Sequence, residues 1–309
     1  ELVFDYRCVA LLGPVLSREV GVVMPRAQQG RTPMISPSLS GPVPPNRYLF
    51  RTALTAPVEG AAVAEYAMQR LGLTRFAVLA PTDRYSSDVV AAFTDDVARR
   101  GGRIVFTGSY EPDTVDFGKQ MKSLKARDLE QEGTMEQLEA NPDSPGATPP
   151  PPVYLPGFDA VFLPGDGETV GLIAAQLRFH DIALPLLGSS GWNGREVLSS
   201  GGRYVEEAIF ADGFFPNAQD SVVQQFVTQF RARYREEPDA FAAQAYDAVR
   251  LIIQAIKLGG TSGDLVRDEL AKVTGYHGVS GVTGFSPEGE ALRRLSWIQI
   301  RNGRFVPAL

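Results

Sequence analysis

Cysteine occurs once in the 309 residues, at Cys8, so the chain holds no internal disulfide and no thiolate-rich metal site. Histidine occurs twice, at His180 and His277, too few and too far apart to suggest a histidine zinc site or a Ser-His-Asp triad. No apolar run approaches the roughly 18 to 20 residues that cross a bilayer. The opening residues, Glu1 to Arg7, lack the basic start and apolar middle of a signal peptide. A basic excess is absent as well: 30 Lys and Arg stand against 36 Asp and Glu, for a formal charge of -6. That sign is opposite to the footprint nucleic acid attracts, so no nucleic-acid partner is expected.

What is present is ordinary globular composition, 44% hydrophobic and 21% charged, at a length that suits about two domains. Short apolar runs alternate with amphipathic stretches of helical period, the mark of a parallel α/β sheet flanked by helices. Strands are predicted at Cys8–Leu12, Pro33–Ser36, Phe76–Ala80, Arg103–Thr107, Phe158–Leu163, Leu184–Leu187 and Glu207–Phe214. Helices are predicted from about Ser17, Pro57, Ser86, Asp116, Glu168, Ser221, Ala240 and Ser262. From Gly278 onward the pattern turns to loop and hairpin, with Asn302-Gly303 as a two-residue turn. Residues 130–157 break the alternation; they are acidic, carry Pro149 to Pro152 in a row, and are expected as an exposed insertion rather than a core element.

Catalytic signatures are missing. Gly188-Ser189-Ser190-Gly191 fails GxSxG by one position, and HExxH does not occur. Gly165 to Gly171 reads GxGxxxG between a strand and a helix, which suits either a nucleotide loop or a tight turn, but the next strand ends in Gly188-Ser189-Ser190 with no acid for a ribose. The chain is therefore read as non-enzymatic, with no cofactor and no metal. Open α/β sheets bind ligands at strand ends, and small polar or aromatic groups stand there: Ser17, Ser38, Ser40, Asp83, Tyr85, Asp166, Ser190 and Trp192. Each serine equally fits a helix cap or turn, Asp166 a cap, and Trp192 a packing role.

Taken in order, VALLGPVLS (Val9–Ser17), TPMISPSLS (Thr32–Ser40), YLFRT (Tyr48–Thr52), RFAVLAPTDRYSSDVVAAF (Arg75–Phe93), AYDAVRLI (Ala245–Ile252) and the ending from Gly278 resemble the type 1 periplasmic solute-binding proteins of the leucine/isoleucine/valine-binding kind. The resemblance implies two α/β lobes, each a mostly parallel sheet flanked by helices, with three hinge crossings near Phe50–Ala53, Phe210–Pro216 and His277–Val282. It implies residues 1–53 with 214–277 as one lobe and 54–213 with 278–309 as the other. A small polar ligand, an amino acid or related carboxylate, would meet Ser17, Ser38 and Ser40 on one side and Tyr85 on the other, with Asp166, Ser190 and Trp192 nearby. Ser190 stands where amino-acid binders place an acid for the ligand's ammonium. The implied setting is the periplasm or cell envelope, with an ABC permease as partner. PLLGSSGWN and the proline-rich insertion also look like the activators of penicillin-binding proteins, which share the fold; that alternative implies a penicillin-binding protein as partner. A nucleotide-using enzyme is the third reading. The family's first lobe opens with two further strand-helix units, so about 60 to 80 residues, an export signal and any lipid anchor would precede Glu1.

Overall fold

The computed structural model describes residues 2–38, 46–137 and 151–308. In chain order the elements are β1 (Leu11–Leu12), α1 (Ser17–Gln29), β2 (Met34–Ser36), β3 (Leu49–Arg51), α2 (Ala56–Gln69), β4 (Arg75–Pro81), α3 (Arg84–Arg99), β5 (Arg103–Tyr110) and α4 (Gly118–Leu129). There follow β6 (Thr134–Glu136), β7 (Val153–Leu155), β8 (Ala160–Leu163), α5 (Gly167–Phe179), β9 (Leu186–Gly188), α6 (Arg195–Gly201) and β10 (Ile209–Asp212). The chain ends with α7 (Ser221–Tyr234), α8 (Ala240–Lys257), α9 (Gly263–Ala271), β11 (Val282–Phe285), β12 (Ala291–Arg293), β13 (Ser296–Arg301) and β14 (Arg304–Pro307). Two compact units result: Glu1–Thr55 with Asp212–Ser296, and Ala56–Ala211 with Trp297–Leu309.

In the first unit β1, β2 and β3 form a parallel sheet. Its one side is covered by α1, whose Val20, Met24 and Ala27 are buried with Met34, Tyr48 and Leu49. Ile35 and Phe50 instead pack with Leu251 of α8, Val266 and Leu270 of α9, and Phe285. The first strand is shorter than its apolar run predicts, because the Cys8 amide bonds back to the Leu2 carbonyl and takes no place in the ladder. Residues 278–296 correct a second expectation. The resemblance implies that they belong to the second lobe, but β11 and β12 pair with each other and Val282, Phe285 and Ala291 join the first unit's core. The buried carboxylate of Asp247 fixes this segment by accepting from the Val279 amide (2.9 Å) and from the Ser280 amide (2.8 Å) and hydroxyl (2.6 Å).

The second unit is a seven-stranded sheet in the order β14-β13-β10-β9-β8-β4-β5, with β10, β9, β8, β4 and β5 parallel. Strands covered on both faces read as continuous apolar runs, and all four residues of β8 are buried. Phe93 of α3 stacks on Phe162 at 4.3 Å between ring centroids and meets Phe76 edge-on at 5.3 Å. Helices α2 and α3 pack so closely that a Cβ on Gly60 would lie 2.2 Å from the Val89 carbonyl oxygen. Tyr66 stacks on Trp297, ring centroids 3.9 Å apart. Strands β13 and β14 form the predicted hairpin, with Asn302 and Gly303 both at positive φ (53° and 65°), as a type I′ turn requires.

The insertion at 130–157 is more built than its composition suggests. β6 and β7 pair antiparallel, Tyr154 is buried, and the Asp128 carboxylate accepts from the Tyr154 hydroxyl (2.6 Å) and the Gly157 amide (2.8 Å). Pro149 and Pro150 lie outside the described residues, whereas Pro151 and Pro152 are exposed as expected.

Candidate functional site

Chain order and sheet order diverge in the second unit: β5 lies on one side of β4, and β8, the next strand of this sheet in sequence, on the other. Such a reversal opens a crevice beyond the carboxyl ends of the strands. A cavity of about 750 Å³ lies there, lined by Pro81 at the end of β4, Tyr110 at the end of β5, Gly165 beyond β8 and Ser189 beyond β9. Asp83, Tyr85, Asp113, Asp166 and Glu168 also line it. Asp83 caps α3 by accepting from the Ser86 amide, and Asp166 caps α5 by accepting from the Thr169 amide, each at 2.9 Å. These caps hold the loops after β4 and β8 against the cavity.

Tyr85 and Ser190, both expected at the site, are joined by a residue that sequence reasoning missed. Glu59 of α2 is fully buried; its Oε2 accepts from the Tyr85 hydroxyl at 2.6 Å and its Oε1 from the Ser190 amide at 2.5 Å. Burial pushes the Glu59 carboxyl above its usual range, and the Tyr85 and Ser190 hydrogen bonds oppose that shift. The signal was in the spacing: Ala56, Glu59, Gly60, Val63 and Ala67 recur at helical period, placing one acid on the buried stripe.

Trp192 takes the packing role. Its side chain is fully buried, its Nε1 donates to the Leu163 carbonyl at 2.9 Å, and its ring lies so close over Gly188 that a Cβ there would be 2.5 Å away. The expectation that it meets a ligand is corrected on that ground. The GxGxxxG run has a similar explanation, since a Cβ on Gly167 would press on the Val197 amide (2.9 Å) and one on Gly171 on Ser200 Oγ (2.0 Å). These two glycines allow α5 to sit against α6.

In the first unit Ser17 is the first residue of α1, after an N-cap at Leu16, and is half-buried. Ser38 is buried; its amide donates to Ser36 Oγ at 3.2 Å, and the two hydroxyls lie 2.9 Å apart. Ser40 lies outside the described residues. No group of three or more His, Cys, Asp or Glu among the described residues is arranged to hold a metal ion.

A family profile described as periplasmic binding protein matches residues 1–304. The chain belongs to that family. No curated protein matches this periplasmic binding protein in sequence. Among solved structures, one from Rhodospirillum rubrum, assigned to a branched-chain amino acid ABC transporter, superposes with a TM-score of 0.85 at 26% identity, covering 99% of this chain and 82% of the other. The leucine-binding protein LivK of Thermotoga maritima gives 0.73 at 22% identity over 100% of this chain and 81% of its own. LivJ, a branched-chain amino acid transporter substrate-binding protein of Streptococcus pneumoniae solved with isoleucine, gives 0.69 at 24% identity over 98% and 79%. The type 1 fold expected of this binding protein is the one these structures share with it. No helix among its described residues is long and apolar enough to cross a membrane.

Proposed function

We propose that this periplasmic binding protein is the non-catalytic solute receptor of an ABC uptake system and binds a small polar solute, an amino acid or a related compound, in the periplasm. The observation that carries the reading is the cavity at the reversal point of the second unit's sheet, with Tyr85 and Asp166 on its wall, in a chain whose family match runs from residue 1 to 304. A volume near 750 Å³ is within the roughly 300 to 1,000 Å³ usual for small-molecule sites. Ser17 and Ser38 are proposed to meet a carboxylate of the solute, and an ABC permease is the proposed partner.

The test is thermal unfolding in the presence of amino acids, amines, small and aromatic acids, nucleotides and peptidoglycan fragments. A solute at 100 times its Kd stabilises the native state by about 2.7 kcal/mol, which at roughly 2 to 4 °C per kcal/mol is a plain shift in Tm. A shift with one chemical class is expected, and it should shrink in Tyr85→Ala. A flat response across the panel would overturn the reading.

A further inference from the structure

Among the described residues, the charged side chains on the wall of the second unit's cavity are Asp83, Asp113, Asp166 and Glu168, and no Lys, Arg or His lines it. Two helix N-termini, those of α3 and α5, face the same region through their capping residues. Each helix end carries only about half a positive charge, so the pair offsets roughly one of the four carboxylates. One amide at each helix end is also engaged, since those of Ser86 and Thr169 already donate to Asp83 and Asp166. The cavity is left with a negative field.

A second observation is independent of that count. Tyr110 is 4% exposed, lines the cavity, and packs edge-on against Phe117 at 5.1 Å between ring centroids. Its hydroxyl has no hydrogen-bond partner among the described residues. Gly165, at a φ of 142° that only glycine readily takes, lets the backbone pass so close that a Cβ would stand 3.0 Å from that hydroxyl. A buried hydroxyl left unpaired is costly, and an ammonium N–H donating to Tyr110 Oη would satisfy its acceptor side.

Resting on the receptor reading, we infer that the solute carries net positive charge: a diamine or basic amino acid whose ammonium group donates to Tyr110 Oη, with Asp83 and Asp166 as its counter-charges. Tyr85 and Tyr110 supply aromatic walls to the same group.

Isothermal titration of the full chain with L-lysine, 1,4-diaminobutane, L-leucine and benzoate tests this. Lysine or diaminobutane should bind at least tenfold more tightly than leucine or benzoate. Tyr110→Phe keeps the packing on Phe117 and Asp166→Asn keeps a capping side chain, so neither should lower the Tm of the ligand-free protein, while each should weaken cation binding tenfold or more. Tighter binding of leucine or benzoate would overturn the inference and leave the receptor reading standing. Cation binding unchanged in both variants would overturn the site assignment. Silence with all four probes would overturn the inference, and only silence across the wider thermal panel would remove the receptor reading with it.

Discussion

The hydroxyl of Tyr85 donates to Glu59 Oε2 at 2.6 Å, tying the first turn of α3 to a carboxylate that lies fully buried in α2. The same carboxylate takes the Ser190 amide at the end of β9. One acid therefore sets the positions of two separate stretches of the cavity rim. Leaving a buried acceptor unsatisfied costs about 1 to 3 kcal/mol, so Tyr85→Phe should lower stability by that order in urea denaturation. An unchanged midpoint would mean that the pair contributes no net stability.

The pH dependence of Glu59 has a definite sign. Burial raises its carboxyl above the ordinary 4.5, so the folded state holds this proton more tightly than the unfolded state does. Its contribution is most favourable below 4.5 and is lost as pH rises through the elevated folded value. Glu59→Gln should flatten that slope in a series of melts above pH 4.5; a slope identical to that of the parent protein would refute the assignment.

Asp159 runs the other way. Burial alone would raise its carboxyl, but the Arg75 guanidinium and the Thr74 and Arg75 amides outweigh burial and hold it at about 2, against an ordinary 3.8. This stability is complete above 3.8 and is lost as pH falls toward 2. The pair is partly exposed, so screening reduces its worth to about 1 to 2 kcal/mol. Acid unfolding of Asp159→Asn should show a correspondingly shallower loss over that interval.

In the first unit, Asp247→Ala should be the most damaging single change. It strands the Val279 and Ser280 amides and the Ser280 hydroxyl in a buried place, at a cost of about 1 to 3 kcal/mol for a buried donor left unpaired. Hydrogen exchange should then quicken across residues 276–285, and protection equal to the parent's there would contradict the anchoring role.

Gly60→Ala brings a Cβ within 2.2 Å of the Val89 carbonyl oxygen, a backbone atom that cannot step aside. Overpacking of this kind costs about 1 to 3 kcal/mol. A calorimetric Tm at or above the parent's would show that α2 and α3 separate more easily than their packing suggests.

The parallel strands of the second unit were legible because burial on both faces leaves apolar runs such as FAVLA and FDAVFL with little else to be. Tyr85 and Asp166 were legible because each follows such a run, and the structure places both on the cavity wall. Glu59 was hidden by ordinary statistics: an acid near a helix start is usually a solvated favourable charge, and only the fold buries this one. Tyr110 looked like the last residue of a strand, and its unpaired hydroxyl depends on what β4, β8 and Phe117 leave around it. Residues 278–296 read as part of the second lobe because their short hairpin text runs on without a break into β13, while the carboxylate that claims them, Asp247, lies about 30 residues upstream.

The chain's two tryptophans, Trp192 in the core beneath Gly188 and Trp297 on the ring of Tyr66, both belong to the unit that carries the cavity. Intrinsic tryptophan emission therefore watches that unit alone, whereas far-ultraviolet circular dichroism also sees α1, α7, α8 and α9 of the other. With no label attached, the two signals recorded on one denaturation series separate the melting of the halves, and solute titrations followed by emission report from the half where Tyr110 and Asp166 stand.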